Sequence, residues 1–275
     1  GISFFTFTQI VYLIDVYNGK TSETSFRKYF LFVTFFPQLI AGPFLHHKSF
    51  IPQISLDSEK GPSYDKFFLG TFIFSIGLGK KILIADTLGI YADNFFDAVY
   101  ANSIVPMFFS SWLGSLAYTL QIYFDFSGYS DMALGLGLLF GIRLPINFNS
   151  PYKSKSIIDY WQRWHMTLTG YIGQYLFTPI SLWFMRKTYG GNKLTSWLGS
   201  IFFPNMLVFF IIGVWHGASW TFIIWGLIHG LFLVTNHGWR LLRTQILFLN
   251  KNIFNPFKTF LSWSITFISV NIAFV

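Results

Sequence analysis

The 275-residue sequence contains no cysteine and few charged residues, and both shortages narrow its class. Without cysteine there are no disulfides, no thiolate metal ligands and no cysteine nucleophile. Charged residues make up 11% of the chain, whereas an average soluble domain contains about 25%. Hydrophobic residues make up 53%, phenylalanine alone contributes 36 residues, and the mean hydropathy is +0.49. One globular core cannot hide so much apolar surface, so lipid is the expected solvent.

Several sequence motifs that carry well-known chemistry are also absent. There is no HExxH pattern and no His/Cys cluster with the ligand spacing of a zinc site. The GxSxG elbow of serine hydrolases and the glycine-rich phosphate loops are missing too. We therefore expect no metal site and no tightly bound cofactor.

Acidic residues are in the minority, with 11 Asp and Glu against 19 Lys and Arg, for a formal net charge of +8. In a soluble protein this excess would suggest nucleic acid as a partner. Here the basic residues lie in short connectors between apolar runs, which is the pattern of loops that face the cytoplasm. The predicted partner is therefore the lipid bilayer and not nucleic acid.

The apolar runs predict an all-α polytopic membrane protein, because a spanning helix needs about 20 mostly apolar residues. Candidate spans or part-spans are 1–17, 29–45, 67–85, 104–124, 126–142, 165–185, 197–215, 218–236 and 259–275. Pro37 and the Gly42-Pro43 pair interrupt the second run, which predicts a kinked or re-entrant segment. The connector 143–163 carries aromatic and charged residues at helical spacing in its second half, as an amphipathic interfacial helix would.

The sequence begins and stops within apolar runs, at Gly1 and Val275. This predicts a fragment of a longer protein, in which 1–275 is a single transmembrane catalytic core with both ends truncated.

Ionisable residues inside apolar runs are candidates for function. His165 and His216 each follow a tryptophan, Trp164 and Trp215, and each stands where a polar connector meets an apolar helix. Such a place gives an imidazole a wet side for protons and a dry side for substrate, and a neutral imidazole is a competent general base near pH 7.

The other buried candidates favour a structural interpretation. We expect His229 to hydrogen-bond a neighbouring helix, and Asp125 and Asp131 to pair with structural partners because they lie on different helical faces. Asp15 is expected at an interface, and the adjacent His46 and His47 in a solvated loop.

Five stretches occur together in an order that resembles the membrane-bound O-acyltransferase (MBOAT) superfamily, and within it the bacterial alginate O-acetylation branch. They are "GISFFTFTQIVYLIDVYNG" (1–19), "FFPQLIAGPFLHHKSFIPQI" (35–54), "YFDFSGYSDMALGLGLLFGIRLPINFNSPY" (123–152), "WQRWHMTLTGYIGQYLFTPI" (161–180) and "GVWHGASWTFIIWGLIHG" (213–230). The resemblance implies a helical bundle with re-entrant or broken helices around a central funnel. One departure is Gly173-Gln174, where relatives usually carry an Arg-Asp pair.

The resemblance also implies roles for the candidate residues. His216 matches the family's catalytic histidine, and His165 matches a second histidine that lines the same funnel. As a mechanistic hypothesis separate from the resemblance, we expect Trp215 and Trp164 to wall off the site and Asn147, in the polar break, to bind substrate. The implied reaction takes an acyl group, acetyl above all, from a cytoplasmic thioester such as acetyl-CoA or an acylated carrier. The acceptor is a hydroxyl of a cell-surface polysaccharide or of a periplasmic partner protein, and the implied location is the bacterial inner membrane.

Two other classes remain open at the level of the sequence. A transporter or flippase would use the same histidines as a proton relay and would move substrate without forming an ester. A passive assembly scaffold would tolerate replacement of both histidines.

Overall fold

A computed structural model describes residues 2–21, 25–39, 42–56, 64–243 and 256–275. These residues form helices joined by short connectors, and none of them forms a strand. The prediction of an all-α protein is therefore confirmed. The chain divides into two compact units, Gly1–Phe148 and Asn149–Val275, and each is described by itself. The predicted single core over 1–275 stays a prediction.

The first unit consists of helices α1 to α7 and one π-helical segment. They are α1 (Ile2–Tyr17), α2 (Phe26–Thr34), α3 (Phe36–Leu39), α4 (His47–Leu56), α5 (Tyr64–Gly79), the π-helical segment (Lys80–Ala85), α6 (Asp86–Tyr100) and α7 (Phe108–Leu139).

The predicted break in 29–45 is confirmed. Helix α2 ends at Thr34, the short α3 follows, and irregular backbone covers residues 42–46, while residues 40 and 41 lie outside the described part. Buried backbone must find hydrogen-bond partners inside the protein. The buried Gln38 supplies one, because its Nε2 donates to the carbonyl of Phe32 at 2.6 Å.

The expected spans 104–124 and 126–142 are wrong as separate elements, because α7 runs without interruption over 32 residues from Phe108 to Leu139. Ser127 and Gly128 do not break the helix; both are buried within it. Continuous hydrogen bonding through this point is possible because α7 packs along α5 and keeps its small residues at the contact.

The structural role expected for the two aspartates of α7 is confirmed. Lys80 Nζ lies 2.5 Å from Asp131 Oδ2, and Lys81 Nζ lies 2.6 Å from Asp125 Oδ1. Both lysines belong to the π-helical segment, whose extra residue per turn changes the direction of the side chains that follow α5. The ion pairs therefore join the π-helical segment to α7.

Replacing Lys80 with methionine should lower the amount of protein in the membrane severalfold. The substitution keeps the side-chain length but removes the ammonium that compensates Asp131, and an uncompensated charge between apolar helices is costly. The double variant Lys80→Met/Asp131→Leu should recover most of the loss. Immunoblots of membranes and melting in detergent would compare the variants. Equal levels for the single and double variants would contradict a pairing role.

The second unit begins within the predicted connector 143–163, which contains only short helical pieces. A 3₁₀ turn covers Pro151–Lys153, and α8 covers Ile157–Trp161. Ser156 caps α8 by accepting from the backbone N–H of Asp159 at 3.1 Å. The amphipathic helix expected in the second half of 143–163 thus corresponds to the five residues of α8.

The remaining helices of the second unit range from five residues to the 22 residues of α13. They are α9 (Met166–Ile172), a π-helical segment (Gly173–Phe177), α10 (Thr178–Lys187), α11 (Lys193–Trp197), a further π-helical segment (Leu198–Phe202), α12 (Phe203–His216), α13 (Trp220–Leu241) and α14 (Pro256–Phe274). Within the described residues, three continuous helical stretches are long and apolar enough to cross a bilayer, namely Tyr64–Tyr100, Lys193–His216 and Pro256–Phe274. The chain is therefore a membrane protein.

Candidate active site

His216 is the last residue of α12 and is exposed. A tight turn follows, and Ser219 begins α13 by accepting a hydrogen bond from the backbone N–H of Thr221 at 3.4 Å. The two helices pack against each other along their length. This hairpin places the imidazole of His216 beside the rings of Trp215 and Trp225, with centroids 4.7 and 4.9 Å away. The imidazole therefore has aromatic neighbours and is also exposed.

His165 belongs to the same unit, between α8 and α9, and is 6% exposed. Its backbone is left-handed, with φ 44° and ψ 51°. A non-glycine residue in this region costs about 1–2 kcal/mol, and such strain is concentrated at functional sites. Hydrogen bonds hold the strained turn, because its carbonyl accepts from Thr169 N–H at 2.9 Å and the carbonyl of Trp164 accepts from Thr169 Oγ1 at 3.2 Å.

Burial, and to a smaller extent the charge of His216, lowers the pKa of His165 to about 3. At neutral pH His165 is uncharged, so it can donate through one ring nitrogen and accept through the other. This suits a residue that orients a substrate hydroxyl better than one that stores a proton.

The two tryptophans predicted to wall off the site have different surroundings. Trp215 contacts His216 directly. Trp164 is 6% exposed and stacks on Tyr160, with ring centroids 5.7 Å apart, and contacts Phe274 at 5.8 Å. Trp164 therefore supports the backbone that carries His165.

Asn147 lies in the first unit, 1% exposed, and its Nδ2 donates to Ser130 Oγ at 3.2 Å. Its predicted part in substrate binding stays a prediction.

His229 sits at the centre of an aromatic cluster and is fully buried. Its ring lies 5.1 Å from Trp161 and 5.0 Å from Trp225, centroid to centroid. Neither ring nitrogen has a hydrogen-bond partner within the described part of the chain, so the expected interhelical hydrogen bond is not found there. A buried polar group without a hydrogen-bond partner lowers the stability of the folded protein by about 1–3 kcal/mol. Sequence reasoning gave His229 no function, although Trp225 and His229 are four residues apart and share a helical face.

Asp15, His46 and His47 form a second polar cluster, in the first unit. One ligand atom from each lies within 4.8 Å of the others, the one such group of three among the described residues. His47 is 1% exposed, so the expectation of a solvated loop is wrong for it. Lys48 Nζ lies 3.1 Å from Asp15 Oδ2, and Lys20 Nζ lies 4.0 Å from Oδ1. Because two ammonium groups already compensate the buried carboxylate, the cluster favours charge compensation over cation binding.

The second unit thus contains one buried imidazole on left-handed backbone, His165, and one exposed imidazole, His216. Residues 2–275 match the membrane-bound O-acyltransferase family, and the chain belongs to that family. The resemblance read from the five sequence stretches is thereby confirmed.

The relatives are named for different polymers, namely peptidoglycan, alginate and teichoic acid. A peptidoglycan O-acetyltransferase of Helicobacter pylori is 43% identical over 300 residues, covering 100% of this chain and 53% of the relative. A protein of Pseudomonas aeruginosa named probable alginate O-acetylase is 43% identical over 279 residues, covering 100% of this chain and 48% of the relative. A teichoic acid D-alanyltransferase of Bacillus subtilis is 30% identical over 235 residues, covering 85% and 57%. The chain thus spans about half the length of the curated relatives it matches.

Proposed function

We propose that this protein transfers an acyl group, acetyl by preference, from a cytoplasmic thioester to a hydroxyl of a cell-surface polysaccharide or of a periplasmic partner. The observation that carries the proposal is the imidazole of His216, exposed at the end of an apolar helix and flanked by indoles. Membership of an acyltransferase family supports the reaction class.

In the proposed reaction His216 acts as general base. It takes the proton of the attacking hydroxyl while the hydroxyl oxygen forms a bond to the thioester carbon. The carbon–sulfur bond then breaks, and the protonated imidazole returns the proton to the leaving thiolate. An alcohol is a poor nucleophile at neutral pH, and a positioned base contributes about 10²–10⁴-fold to the rate.

The remaining residues position the reactants. His165, neutral because of its burial, orients the acceptor hydroxyl or polarises the thioester carbonyl. Trp215 and Trp164 limit the entry of water, and Asn147 contributes a polar contact to substrate. The donor is acetyl-CoA or an acylated carrier and acts as a co-substrate.

The names of the relatives support a glycan-linked acceptor. Two of them are named for O-acetylation, of peptidoglycan and of alginate, and one for D-alanylation of teichoic acid. In this proposal the members of the family share the site that binds the activated acyl group, and they differ in the polymer that accepts it. The proposed location is the inner membrane of a bacterium, with several passes and with periplasmic proteins that complete the transfer.

Disruption of the gene should remove ester-linked acetate from the host's envelope polysaccharides while leaving the polymers themselves in place. Mass spectrometry of the purified polymers, with and without mild base treatment, measures the ester. A plasmid copy of the intact gene should restore it. Unchanged acetylation together with failure of a polymer to reach the cell surface would indicate a transporter instead.

A further inference from the structure

The aromatic cluster around His229 contains a second buried polar group. Trp161 Nε1 is buried and, like both ring nitrogens of His229, has no hydrogen-bond partner within the described residues. The two rings meet edge to face, with centroids 5.1 Å apart and an interplanar angle of 82°. Two side chains that can each donate an N–H therefore lie together in surroundings that are otherwise apolar.

This cluster is continuous with the proposed general base. Trp225 contacts His216 on one side, with ring centroids 4.9 Å apart, and His229 on the other, at 5.0 Å. A single indole thus separates the two imidazoles. Trp161 and Trp225 are both partly exposed, whereas His229 behind them is fully buried.

The polarity of the side chains in the cluster indicates which kind of chemical group it can bind. A phosphate group would need cationic side chains around it. The side chains whose rings contact His229 are uncharged instead, namely Trp161, Phe209, Trp225, Phe232 and Phe274. A sugar presents several hydroxyls that both donate and accept, which an apolar cage cannot satisfy. The carbonyl oxygen of a short acyl group needs only donors, and its methyl group needs apolar walls.

We propose that His229 and Trp161 bind the carbonyl oxygen of the acyl group and stabilise the negative charge that it gains during transfer. This rests on the proposed function. When the hydroxyl oxygen bonds to the carbonyl carbon, the electron pair of the C=O bond moves to that oxygen, where the N–H groups of the imidazole and the indole donate to it. The pair returns as the carbon–sulfur bond breaks, and the proton follows the route through His216. The cage of rings admits acetyl and disfavours longer chains.

His229→Phe separates this role from a structural one. The substitution fills an apolar cage with an apolar ring, so a purely structural His229 predicts equal or higher activity and stability. The proposal predicts a loss of about 10²–10³-fold in kcat, the usual effect of removing one such donor. The KM for acetyl-CoA should change less than about threefold, because the interaction forms mainly in the transition state. The assay uses the full-length protein in host membranes with labelled acetyl-CoA, and in cells the ester content of the polymers.

Three further variants keep the test decisive. Trp161→Phe keeps a ring but removes the N–H and should lower kcat at least about tenfold. His229→Gln keeps a donor and should retain activity within about tenfold of wild type. Phe203→Leu is the matched control, since Phe203 lies on α12 of the same unit and its ring contacts Phe184 and Phe202 rather than His229. It should stay within about threefold of wild type.

The outcomes distinguish this inference from the proposed function. If the wild-type protein forms no ester, the proposed function fails, and this inference fails with it. If wild type is active and His229→Phe is equally active, only the role of His229 is overturned. Should His229→Phe not insert into the membrane, unchanged kcat in Trp161→Phe would overturn the inference, and a kcat loss there with rescue by His229→Gln would support it.

Discussion

Replacing His216 with alanine is expected to reduce acetyl ester formation to below about 1% of wild type, because a positioned general base contributes about 10²–10⁴-fold. The side chain is exposed at the end of α12, so its removal leaves no cavity in the apolar core and the protein should insert and fold normally. The measurement is the ester-linked acetate of purified envelope polymers from cells that carry the variant gene. Membrane content and detergent melting of the variant should match those of wild type.

His237→Ala is the matched control for this substitution. His237 lies on α13 in the same unit and is partly buried, but it is not among the rings that contact His216. The same change of side chain should leave ester formation within about threefold of wild type. Normal acetylation by a folded His216→Ala protein would overturn the assignment of the base. Equal loss in both variants would indicate that ester formation responds to general damage of α12 and α13.

The sequence was sufficient to predict the helical class and the positions of most helices. Long apolar runs are typical of membrane helices whatever their neighbours are, and the break in 29–45 follows from Pro37 and the Gly42-Pro43 pair. The sequence also predicted that both candidate histidines stand at the border of an apolar helix, and the structure places His165 before α9 and His216 at the end of α12. Their catalytic roles stay predictions.

The errors concern features that depend on tertiary contacts. The continuity of α7 through Ser127 and Gly128 is due to packing on α5, which local propensity does not include. The burial of His47 follows from its approach to Asp15, 32 positions earlier in the chain. Similarly, the polar pair of Trp161 and His229 forms across α8 and α13, and no periodicity within one helix predicts it.

Changing Gly77 to leucine should nearly abolish accumulation of the protein in the membrane. A Cβ atom at Gly77 would lie 2.6 Å from the carbonyl oxygen of Gly128 and 2.7 Å from the backbone nitrogen of Met132. Both obstacles are backbone atoms of α7, so they cannot move unless α5 and α7 separate. Membrane helices associate through such close contacts of small residues, because no hydrophobic effect drives them together in lipid. We expect at least about a tenfold reduction, since a large loss of stability strongly lowers abundance in cells.

Gly79→Leu provides the matched control two residues further along the same helix. Its added Cβ would have no atom within 4 Å, and its backbone is already right-handed helical, with φ −60°. This variant should accumulate as well as wild type and remain active, as judged by immunoblots of membranes and by polymer ester content. Gly135→Leu repeats the test from the other helix, because its Cβ would lie 2.5 Å from the carbonyl oxygen of Gly70. If Gly77→Leu and Gly135→Leu accumulate like the Gly79 variant, α5 and α7 do not pack at this distance in the bilayer.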